Sequence, residues 1–265
     1  MTRWILALAF SSFLCAQPQQ VRVLTYNIHH GEGTDARIDL DRIAAVIRSA
    51  GPDVAAIQEV DVRNTRSSGV DQALELSKLT GMHVLFGKTI NYRGGFYGNA
   101  VLSRWPMNGF VNHEMPFTPG REKRGIIESV PHAEFHFLAT HLDTAEPDRL
   151  LAAGRLREIV VERPEGWPMI IAGDLNAAPG SATMNALLQD WTSAAMEEPL
   201  FTFPADKPTR QIDFVLFRPA NRWRVIEARV LEESVASDHR PLLAVLELVA
   251  AEQPSARAKP LRPRP

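Results

Sequence analysis

The stretch Met169-Ile170-Ile171-Ala172-Gly173-Asp174-Leu175-Asn176-Ala177-Ala178-Pro179-Gly180-Ser181 decides the fold class. Met169 to Ala172 are apolar and read as a short buried strand that stops at Gly173. An acid and an amide follow two residues apart, Asp174 and Asn176, and a Pro-Gly turn leads into a helical run from Ala182 to Leu188. Residues two apart in an extended segment point to the same side, so one cleft can receive both the carboxylate and the amide. A buried strand that ends in polar side chains at its C-terminal edge is where α/β proteins place their sites. The competing reading is a loop in which Asp174 and Asn176 only cap the next helix.

The same pattern recurs outward along the chain. Val21 to Ile28 is β-rich and ends in Asn27, His29 and His30. Two adjacent histidines point in opposite directions if extended, so at most one faces a site, and His30 reads as a surface residue. Asp39 is placed to cap a helix carrying Leu40, Ile43, Ala44 and Ile47 at helical spacing. Val54 to Ile57 is a second apolar strand, terminating in Gln58-Glu59. A carboxylate at the mouth of an apolar strand needs a partner, and a metal is the strongest one available. Asp71 to Thr80 reads as a helix with Leu74, Leu76 and Leu79 inside, and Asn91 to Asn99 as a Gly-rich aromatic loop before the strand Ala100 to Ser103. Ala133 to Thr140 is a third strand, leading to His141, and Pro147 to Val161 a helix with Leu150, Leu151, Leu156, Ile159 and Val160 apolar. Gln211 to Phe217, containing Asp213, and Leu243 to Leu248, preceded by Ser237-Asp238-His239-Arg240-Pro241, are later strands. The polar strand ends supply four acids, two amides and two histidines: Asn27, Glu59, His141, Asp174, Asn176, Asp213, Asp238 and His239. Carboxylate and amide oxygens suit a hard divalent cation such as Mg²⁺, with Mn²⁺ as the substitute. No Cys or His pair has zinc spacing.

The whole chain carries a net charge of -2, but its basic residues are unevenly placed. Four of them lie in the Pro- and Arg-rich tail after Pro254, which has no acids. Without these and Arg3 the body holds 24 basic residues against 31 acidic ones, which excludes a broad basic footprint for nucleic acid. Residues 1–16 read as a signal peptide, with Arg3 before the apolar stretch Trp4 to Leu14 and Ala16 at the cleavage edge. An uncleaved anchor and lipid attachment at Cys15 are the alternatives. Cleavage leaves a mature chain without cysteine. The organisation expected is a signal peptide at 1–16, one domain at 17–250 and a disordered tail at 251–265.

Thr25-Tyr26-Asn27-Ile28, Gln58-Glu59, Gly98-Asn99-Ala100-Val101-Leu102-Ser103, Thr140-His141-Leu142-Asp143, Gly173-Asp174-Leu175-Asn176, Ile212-Asp213-Phe214-Val215 and Ser237-Asp238-His239-Arg240-Pro241 stand in the order of the endonuclease/exonuclease/phosphatase superfamily. From about Val21 to Leu248 the chain resembles that superfamily. The resemblance implies an α/β fold, a four-layer α/β/β/α sandwich of two packed mixed β-sheets with outer helices. It implies that Glu59 is the principal metal carboxylate, with Asn27 beside it and Asp238 as a further metal-side acid. His239 resembles the base that prepares the attacking water, oriented by Asp213. Asp174 and Asn176 would hold the nucleophile and a phosphate oxygen, and His141 would contact the phosphate and protonate the leaving oxygen. Arg124, just before a strand, is the candidate cationic phosphate contact. The abasic-site nucleases carry a tyrosine contact for which Tyr92 and Tyr97 are the only candidates, so the start of the chain looks more like secreted bacterial metal-dependent hydrolases and the lipid-head-group branch.

The expected protein is therefore an exported, secreted or periplasmic Mg²⁺-dependent phosphoesterase, with diester hydrolysis favoured. Its partners are a phosphoester substrate, a lipid head group or nucleic acid, and no stable protein partner is expected of what reads as a monomer. An extracellular endonuclease and a non-catalytic binding module on the same fold are the two other readings. The loops Arg63 to Gly69, Asn91 to Asn99 and Met115 to Arg124 are where substrate choice would reside.

Overall fold

The computed structural model describes residues 19–132, 134–195 and 198–250. The stretch read as a signal peptide, Cys15 and the tail read as disordered lie outside the described residues. The chain opens with β1 (Gln19–Asn27), α1 (Leu40–Ala50), β2 (Val54–Val62) and α2 (Gln72–Thr80). The strands β3 (His83–Tyr92), β4 (Gly95–Ser103), β5 (Phe110–Glu114) and β6 (Gly125–His132) follow. The second half runs β7 (Phe135–His141), α3 (Glu146–Val161), β8 (Met169–Asp174), α4 (Ala182–Leu187), β9 (Thr192–Ser193), β10 (Asp213–Arg218), β11 (Trp223–Val230) and β12 (Leu242–Leu248).

Two six-stranded sheets form, ordered β11-β12-β1-β2-β4-β3 and β5-β6-β7-β8-β10-β9. Each has one parallel pair, β1 with β2 and β7 with β8, bridged by α1 and α3 respectively. The two orders superimpose if β7, β8, β10 and β9 replace β1, β2, β4 and β3. The flanking hairpins are exchanged: β5-β6 leaves the first half for the second sheet, and β11-β12 does the reverse. Neither sheet is built from one half of the chain alone.

Side-chain alternation sorts the residues into layers. Val21, Val23, Val54 and Ala56 of one sheet meet Phe137, Ala139, Ile170, Ala172, Val215 and Phe217 of the other in a core between the sheets. The opposite faces are covered by helices. Leu24, Tyr26, Ala55 and Ile57 pack under α1 and α2, where Ile43, Ile47 and Leu76 are fully buried. Leu138, Ile171 and Leu216 pack under α3 and α4. The four-layer sandwich is as expected.

Local signals set the helices. Asp39 accepts from Arg42 N at 2.9 Å and caps α1 as read from the sequence, while Asp71, read as the first helical residue, accepts from Leu74 N at 3.1 Å and is the cap of α2. Three local readings change. The stretch Asn91 to Asn99 is mostly the β3–β4 hairpin, turning at Arg93-Gly94. Leu150, Leu151 and Leu74 are exposed, and α3 instead buries Asp148 and Arg149. Asp148 Oδ1 accepts from Thr118 N at 2.6 Å, and Arg149 Nη1 donates to Thr144 O at 2.6 Å, so this helix face anchors loops at the sheet edge. Finally, Gly173 does not end its strand. A Cβ there would lie 2.0 Å from Thr140 O, so glycine is required by the closeness of β7 and the strand runs through it to Asp174.

One charged cluster braces β5, β6 and β7. Buried Glu128 lies 2.8 Å from His113 Nε2 and 2.6 Å from His136 Nδ1, and accepts from Arg163 Nε at 2.6 Å. Burial alone would raise its carboxyl; hydrogen bonds from His136, Arg163 and His113 hold it far below the usual range. A depressed carboxyl contributes stability above its unfolded value and loses it as pH falls. Glu128→Gln is expected to cost about 3 kcal/mol, the usual result of breaking a buried ion pair. Its denaturation midpoints should also fall less steeply than those of the wild type below about pH 4.5. Urea unfolding of both proteins across pH measures this, and parallel pH profiles would refute it.

Candidate active site

The site is the last, polar layer of the inter-sheet core. In β8, Ile170 and Ala172 face the other sheet, and by alternation so does Asp174. Asp213 of β10 is paired directly opposite Asp174, and His141 of β7 is in register with it on the other side. Directly paired residues share a face with Cβ atoms about 5 Å apart. Asn27 ends β1 in the opposing sheet, two residues beyond Thr25 and four beyond Val23 on the same face. Its Nδ2 donates to Glu59 Oε1 at 3.1 Å and to Asp174 Oδ2 at 3.1 Å, so one amide joins the two sheets. Its Oδ1 accepts from His29 N at 3.0 Å and keeps a lone pair.

Glu59 arrives there through a β-bulge. The pairing of β2 with β4 slips by one residue between Ile57 and Val60, and Glu59 has φ 61. Strict alternation from Ile57 would send Glu59 under the helices. The extra residue restores Val60 and Val62 to that apolar layer and frees the carboxylate at the rim. The strand therefore does not end at Gln58-Glu59, as its apolar run suggested, but continues to Val62.

His239 comes from the loop before β12. Its Nδ1 is 2.8 Å from Asp213 Oδ2, which also accepts from Thr202 Oγ1 at 2.6 Å. The paired carboxylate assigns the proton to Nδ1 and points Nε2 at Asp174 Oδ2, 3.7 Å away. The Phe203 ring lies against the imidazole at 4.9 Å. Ser237 Oγ donates to Asn27 O at 2.7 Å and lies 3.3 Å from Asp238 Oδ1, so Asp238 is tied to the end of β1 through Ser237. Burial would lower the His239 imidazole, but the charge and hydrogen bond of Asp213, then Asp174 and Asp238, push it up to about 10. Asp174 is raised to about 7 by burial and by Asp213, against the opposing pull of His239, Asn176 and Asn27. These shifts describe a cluster with surplus negative charge, which is the electrostatic condition for holding a cation.

His141 is the opposite case. Arg124 Nη1, which is only a donor, lies 3.1 Å from His141 Nδ1. Nε2 lies 3.1 Å from Asn176 Nδ2 and 3.4 Å from Asp174 Oδ2, the one acceptor of the three. A proton on Nε2 serves Arg124 and Asp174 and leaves the Asn176 amide N–H to Leu142 O. Burial, then Arg124 and His239, drive this imidazole well below its ordinary value. The free site therefore holds His141 neutral, as a hydrogen-bond donor. Asn176, in a left-handed conformation at φ 48, donates its N–H to Asp174 Oδ1 at 2.9 Å and its amide to Leu142 O at 3.0 Å. The stretch Asp174 to Asn176 is thus a site edge and not the cap of α4; Ser181 is that cap.

His29 and His30 depart most from the sequence reading. They are not extended. His29 (φ 44), His30 (φ 46) and Gly31 (φ 82) form a left-handed turn, and both rings come to one side with centroids 4.5 Å apart. His30 is buried, not a surface residue. Gln72, fully buried, donates Nε2 to His30 O at 2.7 Å and fixes the turn. Thr202 and Gln72 carry no signal in the sequence, since nothing in their type or spacing separates them from ordinary polar residues; Ser237 stands in the Ser-Asp-His motif, but its bond to Asn27 O is visible only in the fold. Arg66, in the first of the loops expected to set substrate choice, is held by Asp61 through two hydrogen bonds of 3.0 and 2.7 Å, over the rings of Tyr92 and Tyr97. A cavity of about 640 Å³ is lined by Lys88, Asn91, Phe117, Arg121, Glu122 and Lys123. Two of the three loops expected to set substrate choice contribute to it.

The comparisons with known proteins agree with this geometry. The chain is 28% identical over 246 residues to the uncharacterized protein YbhP of Escherichia coli (strain K12), covering 86% of this chain and 96% of that one. It resembles the crystal structure of an endonuclease/exonuclease/phosphatase from Beutenbergia cavernae DSM 12333, with TM-score 0.70, 26% identity, and coverage of 86% of this chain and 72% of that chain. It shares the fold of a mannosyl-6-phosphatase from Bacteroides thetaiotaomicron VPI-5482, with TM-score 0.71, 17% identity, and coverage of 85% and 99%. Residues 24–239, which span every site residue named above, match the Endonuclease/Exonuclease/phosphatase family, and the chain belongs to it.

Proposed function

We propose that the protein is an exported, divalent-cation-dependent phosphodiesterase. Family membership carries the coarser statement, a hydrolase of phosphoester bonds. The observation that carries the finer one is the joining of Glu59, Asn27, Asp174, His239 and Asp213 into one buried constellation by contacts of 2.8 to 3.7 Å. Asp174, Asp213 and His239 alone present three donor atoms within 4.8 Å of one another.

The residues fit a cation. Glu59 and Asn27 Oδ1 would hold it, and Asp238 would add charge from beside Asn27. When bound, the cation neutralises the charge that develops on a phosphoester. The rest is done by the chain's own groups. Asp213 and Thr202 fix the His239 ring so that Nε2 faces the site beside Asp174, where it takes a proton from water. His239 acts as that base once the charge of Asp174 and Asp238 is offset. His141 donates from Nε2 to a phosphate oxygen, oriented by Arg124, and Asn176 lines the same edge. Diester hydrolysis is the reading the motif set favours, and the cavity lined by Lys88, Asn91 and Lys123 is the candidate place for a second substituent on the phosphate. The leader-like pattern of residues 1–16 supports export, and Mg²⁺ or Mn²⁺ is the ion class expected of oxygen donors.

Purified protein with Mg²⁺ or Mn²⁺ should hydrolyse at least one of bis-p-nitrophenyl phosphate, nucleic acid or phospholipid head groups, and chelation should abolish the rate. Inactivity on all three would refute the reading. His239→Ala should lower kcat/KM by at least about a hundredfold. Asp213→Asn should move the His239 titration, followed by NMR, down from about 10 toward 6.5. A His239 titration unaltered by Asp213→Asn would show that this pair does not set the base.

A further inference from the structure

We infer that His29 and His30 are nitrogen ligands of the cation at Glu59, and that this mixed nitrogen and oxygen site favours a first-row transition ion over Mg²⁺. The inference rests on the reading that a cation binds at Glu59, and it names which ion the site selects and by which atoms.

One ring nitrogen of His29, one of His30 and a carboxylate oxygen of Glu59 lie within 4.8 Å of one another. Metal–ligand bonds of about 2 Å put two donors of one ion at most about 4 Å apart, so this spread closes with small side-chain rotations. The second nitrogen of each ring is already engaged by a single residue. His29 Nδ1 lies 3.3 Å from Glu32 O, and His30 Nε2 lies 3.5 Å from Glu32 Oε2. The Glu32 carbonyl accepts from His29 Nδ1, and the Glu32 carboxylate beside His30 Nε2 favours the proton there, so each ring leaves its other nitrogen with a bare lone pair. A carbonyl or carboxylate holding the far side of a ligating imidazole is the usual support of a metal-bound histidine.

One of those bare nitrogens is conspicuous for having nothing to do. The His30 side chain is 7% exposed, and its Nδ1 has no hydrogen-bond partner among the described residues. A buried imidazole nitrogen without a partner costs free energy unless something binds it. The backbone adds a second cost at the same place. His29, His30 and Glu59 all adopt left-handed conformations, at φ 44, 46 and 61. Such conformations are unfavourable for residues with a Cβ, and here they turn all three side chains toward one point. Oxygen donors alone suit Mg²⁺, whereas two imidazoles shift preference toward ions such as Co²⁺, Ni²⁺ and Zn²⁺.

The test uses the full-length protein and Mn²⁺ as the spectroscopic probe. Pulsed EPR of the Mn²⁺-loaded wild type should show hyperfine coupling to directly bound imidazole nitrogen. That coupling should vanish in the His29→Gln/His30→Gln double variant. In binding titrations the preference for Co²⁺ over Mg²⁺ should fall at least about tenfold in the double variant. Glu32→Ala, which keeps both imidazoles, should weaken Co²⁺ binding by about tenfold or more through loss of ring orientation. Mn²⁺ bound without nitrogen coupling in the wild type overturns this inference and leaves the proposed phosphodiesterase standing. Failure of any ion to bind overturns both. Nitrogen coupling in a protein that hydrolyses no phosphoester upholds the metal site and removes the proposed activity.

Discussion

Everything at the site hangs on the amide of Asn27. Its two N–H groups are spent on two carboxylates that belong to different sheets, Glu59 and Asp174. Two negative groups at that spacing repel strongly in a buried setting, and a neutral amide between them is the least costly way to keep both. The amide also leaves both charges in place for a cation. Asp174 is raised by burial and by Asp213 against the pull of Asn27, and His239 is raised by Asp213, Asp174 and Asp238 gathered around one imidazole. A hydrophobic residue at position 27 would pack as well as Val23 does and would leave the two carboxylates facing each other.

The strand ends were legible in the sequence because each combines two independent signals. Met169 to Ala172 is apolar enough to be a buried strand, and Asp174 is too polar to be there without a task. The same holds for Asn27, His141 and Asp213. The four-layer fold followed from the order of those motifs. What could not be read was every place where the backbone leaves regular geometry. The bulge that aims Glu59 depends on a slip in pairing with β4, which no local composition encodes. The left-handed turn at His29 and His30 defeats the assumption of an extended chain, on which the opposite orientation of adjacent side chains rests. Gly31 is the one local hint of it. In α3 the later residues Leu156, Ile159 and Val160 are buried as read, and only its first turns differ, for another reason. Leu150 and Leu151 compete with Asp148 and Arg149 for burial, and the loops to be anchored decide the contest in favour of the polar pair.

The exchange of hairpins between halves explains why so internally symmetric a chain behaves as one unit. Sheet edges beside β1 and β7 are sealed by strands from the other half of the sequence. The symmetry does not extend to chemistry. The first half ends its parallel pair in Asn27 and Glu59, the proposed oxygen donors for a cation, and the second in His141 and Asp174, a hydrogen-bond donor and its acceptor. One ancestral-looking scaffold thus carries two different tasks on its two faces.

The placement of the site as the terminal layer of the core has a further consequence. A strand has only two faces, so its final side chain inherits the orientation set by every residue before it. Adding or removing one residue anywhere inside β8 or β10 would turn Asp174 or Asp213 from the layer between the sheets to the underside of a helix. The chemistry is therefore open to change by substitution but closed to change in length. The loops around the cavity are free in the complementary sense, able to lengthen or shorten without disturbing the parity of any strand. Catalytic identity and substrate choice are written in two different kinds of sequence change, and the sandwich keeps them apart.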